Sequence, residues 1–383
     1  MSQVLEAIFG GLSVGSVLLL AALGLAIVFG LMGVINMAHG EFMMVGAYTT
    51  FLVQNALKKT PLSEVYIFVA LIAAFLVAAL LGILLERSVV RYLYGRPLET
   101  LLATWGVSLI LQQFVRSVSW QLVALLIVFC LFFWGGMWVL SRRLDFQRIR
   151  NLAIAILLPL SALIAGVFAS ILGQLFKLPV TKPWFGTQGV DVTAPKWLRG
   201  GLPIGTYQLP YTRLFIIVLT ALCVLGIYWF LNKTAWGLRI RAVTQNRNMS
   251  ACLGIPTKTV DALTFAIGSG LAGVAGVAVS LLGSVSSNTG QAYIVDAFMV
   301  VVVGGVGKLV GSIVAAGAIG TVSYMIGSNA LAPFVAFSPF LTSFFEFFAT
   351  ASMAKVMVFA LIILFLQFKP AGLFPQKGRT VDA

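Results

Sequence analysis

Hydrophobic positions run along this chain in long blocks with no charge inside them. The uncharged stretches are 7–38, 65–85, 100–115, 117–141, 151–176, 214–232, 262–295, 297–307, 309–345 and 356–368, and the apolar stretch 42–57 follows the first of them. A helix rises 1.5 Å per residue, so about 20 apolar residues cross the hydrocarbon core of a bilayer. On that ruler the blocks predict roughly ten or eleven crossings, some of them short or broken. The expected fold is an all-α integral membrane bundle that takes up the whole chain, 1–383, with no soluble block larger than a loop.

The loops orient the bundle. Arg87, Arg91 and Arg96; Arg142, Arg143, Arg148 and Arg150; Lys233, Arg239, Arg241, Arg247 and Lys258; Lys308; and Lys369, Lys377 and Arg379 fall on one side, which gathers most of the 25 basic residues. Lys and Arg concentrate in cytoplasmic loops, so that side is expected to be the cytoplasm, with the N-terminus outside and the C-terminus inside. Residues 177–213, rich in Pro and carrying Trp184 and Trp197, read as an outer, periplasmic loop near the membrane surface. Glu6 and the lack of basic residues before the first apolar run argue against a cleaved signal peptide.

Composition adds little to this picture but excludes much. The chain is 60% hydrophobic and 9% charged, against about 25% charged in an average soluble domain. The net charge of +14 follows from the loop bias, so lipid is the expected environment and nucleic acid is not a partner. Cys130, Cys223 and Cys252 are scattered and form no disulfide framework.

Four stretches have polar residues placed where they need a reason. In INMAHGEFMMVGAY, His39 is the only histidine in the chain. A metal site needs three or four ligands, so none is expected. A proton relay needs a series of intramembrane acids, and Asp296 and Glu346 are isolated along the chain. A discontinuous helix, with Asn36, His39 and Glu41 around Gly40 satisfying backbone groups freed at the break, accounts for all three. In LLATWGVSLILQQFVR, Thr104, Ser108 and Gln112 recur every four positions, as one polar stripe that either bonds to neighbouring helices or lines a watery path. In AIGSGLAGVAGVAVS, the small residues Gly268, Ala272, Gly276 and Ser280 recur at the same spacing and suit close helix packing. In the segment 232–261, Trp236, Gly237, Arg239, Arg241 and Gly254 belong to a short amphipathic, glycine-bounded stretch that is either a partner dock or a solvated basic loop.

VVVVGGVGKLVG is not a phosphate loop, because Val302 stands where the first glycine is required and Leu309 where the Ser or Thr is required. The chain is therefore not expected to hydrolyse nucleotide, to be an enzyme or to carry a cofactor.

GLAIVFGLMGVINMAHGEFMMVGAY, KTAWGLRIRAVTQNRNMSACLGI and AFMVVVVGGVGKLVGSIVAAGAIG, in this order, resemble the ABC-transporter permeases of the branched-chain amino acid family. YGRPLETLLATWGVSLILQQFVR is most similar to the urea-transporter, Urt-type, permease subunit. Residues 117–176 depart from the family pattern as an inserted pair of apolar helices around SRRLDFQRIR. The resemblance implies one permease subunit of a heteromeric pump in a bacterial inner membrane. A second permease subunit completes the path, a periplasmic substrate-binding protein delivers the solute, and two cytoplasmic ATPase subunits drive alternating access. It makes 232–261 the segment that receives the ATPase stroke. Urea is the expected cargo; branched-chain amino acids or short amides moved by the same machinery are the alternative, and a self-sufficient channel or secondary transporter is the third reading.

Overall fold

The structure is a computed structural model that describes residues 2–142, 146–176, 182–185, 189–204, 207–328 and 347–374. Arg143, Lys177, Glu346, Lys377 and Arg379 lie outside the described residues. The helices are α1 (Ser2–Met32), α2 (His39–Leu57), α3 (Tyr66–Ser88), α4 (Pro97–Ser117), α5 (Trp120–Ser141), α6 (Phe146–Phe176), α7 (Tyr211–Lys233), α8 (Ala235–Gln245), α9 (Arg247–Cys252), α10 (Thr257–Ser280), α11 (Thr289–Gly304), α12 (Leu309–Gly327) and α13 (Ala351–Phe368). Among the described residues, α1, α3, α4, α5, α6, α7, α10 and α12 are long and apolar enough to cross a membrane, while α11 and α13 are apolar but shorter. This is an all-α polytopic membrane protein. The segment between α6 and α7 adds one small antiparallel hairpin, β1 (Gly201–Ile204) with β2 (Tyr207–Pro210), in which Gly201 pairs with Pro210.

Two compact units divide the chain: residues 110–189, and residues 1–109 together with 190–383. The smaller unit holds the end of α4, α5 and α6. Ser119 caps α5 by accepting from the Leu122 N–H at 3.3 Å, and Gln121 Nε2 donates to the Ala169 carbonyl at 3.0 Å to tie α5 to α6. No residue of α5 is buried, as suits a helix whose apolar side chains meet lipid.

In the larger unit, α1 and α10 form the centre. Leu20, Ala21, Ala22 and Leu23 of α1 are fully buried, and α10 is buried without interruption from Gly268 to Ser280. Helices apolar on every side belong inside a bundle. The packing repeats with the two ends of the chain exchanged: α3 lies on α10 as α12 lies on α1, and α2 packs on α10 and α3 as α11 packs on α1 and α12. Both long pairs are antiparallel. Gly10 faces Tyr324 while Gly30 faces Gly307, and Gly82 faces Ser269 while Gly273 faces Ala74. The first three helices and α10 to α12 therefore repeat one packing pattern with the chain ends exchanged, a duplicated arrangement that no short sequence period reveals.

Residues 193–197 are tied to the α2–α3 hairpin. Gln54 Nε2 and the Tyr66 hydroxyl both donate to the Thr193 carbonyl, at 2.7 and 2.8 Å, and Trp197 Nε1 donates to the Glu64 carbonyl at 2.8 Å.

Candidate transport site

The polar stretch after α1 forms a break inside the bundle. Gly33 ends α1 with φ +68°, a left-handed conformation that costs glycine least. His39 Nε2 then lies 3.0 Å from the carbonyl of Ala21. Ala21 precedes the end of α1 at Met32 by about 16 Å of helix at 1.5 Å per residue. Residues 33–38 therefore run back along α1, and α2 begins beside its middle rather than beyond its end.

Non-helical backbone at this depth must find partners within the protein. The Met37 N–H donates to Thr104 Oγ1 at 3.1 Å, the Ala38 N–H donates to Asn36 Oδ1 at 3.1 Å, and Ser108 Oγ donates to Glu41 Oε1 at 2.9 Å. Two stretches that looked independent in the sequence meet here: Thr104 and Ser108 of α4 lie against Asn36, His39 and Glu41, all buried. Gln112, one turn beyond Ser108, belongs to the other compact unit. The break differs from expectation in its glycine, since Gly33 makes the turn and Gly40 is the second residue of α2.

Gly40 has a different task. A Cβ there would sit 2.2 Å from the Gly290 carbonyl, and one at Gly290 would sit 2.6 Å from Gly40. Gly290 is the second residue of α11, so the amino ends of two half-helices abut. Each carries the positive end of a helix dipole. Discontinuous helices with amino ends near the bundle centre are how many transporters hold polar solutes.

Asp296 of α11 is not isolated in space, for Lys355 Nζ of α13 lies 2.9 Å from its carboxylate. The pair lies on a cavity of about 330 Å³ whose walls include Val14, Leu18, Met299 and Phe359. The sequence carried a signal for it: an acid and a lysine inside apolar blocks need partners.

The segment 232–261, between α7 and α10, contains α8 and α9. Thr234 caps α8 by accepting from the Gly237 N–H at 3.1 Å, and a Cβ at Gly237 would meet the Phe230 carbonyl at 2.3 Å. Ile240 and Val243 pack inward with Val260 and Leu31, while Leu238, Met249 and Leu253 are exposed. Arg239 stacks on Trp236 at 4.7 Å, Arg241 Nη1 reaches Asn232 Oδ1 at 3.5 Å, and Gly254 turns the chain after α9 with φ +80°.

A polar joint that sequence reasoning missed connects this segment to the bundle. Arg247 Nη2 lies 2.5 Å from Asp261 Oδ2, and the Arg247 guanidinium sits 4.6 Å above the Tyr94 ring. Glu86, fully buried, binds Arg91 at 3.1 Å beside them. Burial, helped by the Asp261 and Glu86 carboxylates, pushes the Tyr94 phenol above its usual range and keeps it neutral. The joint links α9 and the start of α10, neighbours in sequence, with the distant end of α3.

In α10, Gly268 backs onto Gly24 and Gly276 onto the backbone of Met43. Ala272 and Ser280 are buried, and the Ser280 hydroxyl donates to its own helix at the Val277 carbonyl. No group of three potential metal ligands occurs among the described residues.

A polytopic helical bundle with half-helices meeting at its centre and a basic amphipathic segment at one end defines a membrane transport permease. Comparison with known proteins gives the family: residues 7–366 match the branched-chain amino acid transport system permease component, and the chain belongs to that family. It is 28% identical over 373 residues to the high-affinity branched-chain amino acid transport system permease protein BraD of Pseudomonas aeruginosa, covering 96% of this chain and 95% of that one. It is 26% identical to the corresponding permease protein LivH of Escherichia coli K12, covering 96% and 94%. The autoinducer 2 import system permease protein LsrC of Salmonella paratyphi B is 31% identical over 169 residues, 41% of this chain and 48% of that one. No solved structure matches the chain.

Proposed function

We propose that this chain is one permease subunit of an ATP-driven importer of urea in a bacterial inner membrane. Full-length similarity to permease components of transport systems supports the division of labour. The failed phosphate loop fits ATPase activity in separate subunits that dock on α8 and α9, where Leu238, Met249 and Leu253 offer exposed apolar contacts. A periplasmic binding protein delivers the solute to the outer face, and a second permease pairs with this one.

The observation that carries the cargo is the α4 stretch YGRPLETLLATWGVSLILQQFVR, which resembles the urea-type permeases and supplies Thr104 and Ser108 to the break. Urea is small, neutral and rich in donors and acceptors, so a path for it needs polar groups in place of water and no fixed counter-charge. A second reading, import of branched-chain amino acids, is favoured by the names of BraD and LivH and by the apolar cavity beside the Asp296–Lys355 pair, which would suit an aliphatic zwitterion. Titration of the cognate binding protein separates the two. Urea is expected to bind at least about a hundredfold more tightly than leucine, a difference of about 2.7 kcal/mol; the opposite order selects the second reading.

A further inference from the structure

The turn that opens α2 has one buried donor and one buried acceptor without a partner among the described residues. Asn36 and His39 are 1% and 0% exposed, and the His39 N–H donates to the Asn36 carbonyl at 3.3 Å, so both lie on one turn. Asn36 Oδ1 is engaged by the Ala38 N–H, which orients the amide and leaves Nδ2 as a donor without a partner among the described residues. His39 Nε2 faces the Ala21 carbonyl. A carbonyl only accepts, so Nε2 holds the ring proton, and Nδ1 of the neutral imidazole is an acceptor. Nδ1 also has no partner among the described residues.

Buried polar groups left unpaired cost stability, and groups kept in that state call for an explanation. A neutral amide carries a carbonyl acceptor and N–H donors, the complements of these two groups. We propose that Asn36 and His39 recognise a neutral planar amide, with Asn36 Nδ2–H donating to the solute carbonyl and a solute N–H donating to His39 Nδ1. Both groups are closed off from solvent in this state, so the solute reaches them in another state of the transport cycle. The assignment rests on the cargo reading above and gives it a site.

His39 is the only histidine in the chain, which gives a single-site readout. The complete complex is assembled with ¹⁵N-histidine in this subunit alone and placed in proteoliposomes. Urea and acetamide are expected to shift the Nδ1 resonance and leave Nε2 in place, while leucine shifts neither. Asn36→Asp replaces the donor with an acceptor at the same size. It is expected to abolish the shift and lower uptake from saturating urea-loaded binding protein by about tenfold or more, a loss of about 1.4 kcal/mol in transition-state stabilisation. His39→Leu should behave like Asn36→Asp, and His39→Gln, which can both donate to Ala21 and accept from the solute, should recover most of the uptake. An assembled wild-type complex that imports urea with no movement of Nδ1 and equal uptake in Asn36→Asp overturns this inference and spares the cargo. A wild-type complex that imports leucine and not urea overturns both.

Discussion

Gly290→Val is expected to remove the permease from the membrane or leave it inert. A Cβ at Gly290 would lie 2.6 Å from the Gly40 carbonyl carbon and oxygen and 2.9 Å from the Glu41 nitrogen. These are backbone atoms of a helix start that is itself held by Asn36, Thr104 and Ser108, so they have little room to yield. Overpacking a core by a few methylene groups typically costs about 1–3 kcal/mol, and a clash with fixed backbone should exceed that range. Gly40→Val should have the same effect from the other side. Gly226→Ala in α7, where nothing lies within 4 Å of the added carbon, serves as the control and should be silent. Membrane abundance of the three variants, followed by transport of whatever assembles, checks the prediction. Wild-type transport in Gly290→Val would mean that α2 and α11 do not meet as described.

The second large effect is expected at the Arg247–Asp261–Tyr94 joint. Arg247→Glu would remove the partner of Asp261, whose side chain is 5% exposed, and would place a third carboxylate beside Asp261 and Glu86. Breaking a buried ion pair by removing one partner costs about 3–5 kcal/mol; because Arg247 is itself 43% exposed, the lower end of that range is expected. The consequence is mechanical as well as energetic, because Arg247 joins α9 to Asp261 of α10 and to Tyr94 after α3. The variant complex should hydrolyse ATP without stimulation by loaded binding protein and move little solute per ATP. Arg247→Glu combined with Asp261→Arg should regain part of the coupling, since contacting residues interact non-additively. Equal solute moved per ATP in wild type and Arg247→Glu would remove the joint from the coupling route.

Much of this architecture was legible because lipid leaves a chain few choices. Apolar blocks of about 20 residues must be helices, and the long blocks became α1, α3, α5, α6, α7, α10 and α12. Asn36, His39 and Glu41 announced a break, because polar side chains in an apolar run need freed backbone or one another. Its position shifted from Gly40 to Gly33, since a glycine for a left-handed turn and a glycine for close helix approach look alike in one sequence. The four-residue spacing of Thr104 and Ser108 identified a face of α4 but not the neighbour that face meets. The same limit hid the Arg247–Asp261–Tyr94 joint, whose members belong to three segments. Asp296 was read as isolated for the same reason, since its place between two apolar blocks does not show that α13 brings Lys355 to it.

The duplication stayed hidden for a related reason. α3 on α10 and α12 on α1 use glycines and small residues at different spacings, and backbone approach needs only the absence of a Cβ. What repeats is the geometry of the crossing, which leaves little trace in residue identity.

The central claim is that this chain forms the path of an ATP-driven pump for a small neutral amide. Its most direct test is uptake of labelled urea by proteoliposomes holding the complete complex and the loaded binding protein, with and without ATP inside. Accumulation above the external concentration that requires ATP, with leucine left outside, is the expected result. Urea that merely equilibrates at the same rate with and without ATP, or leucine accumulated in its place, would contradict the account.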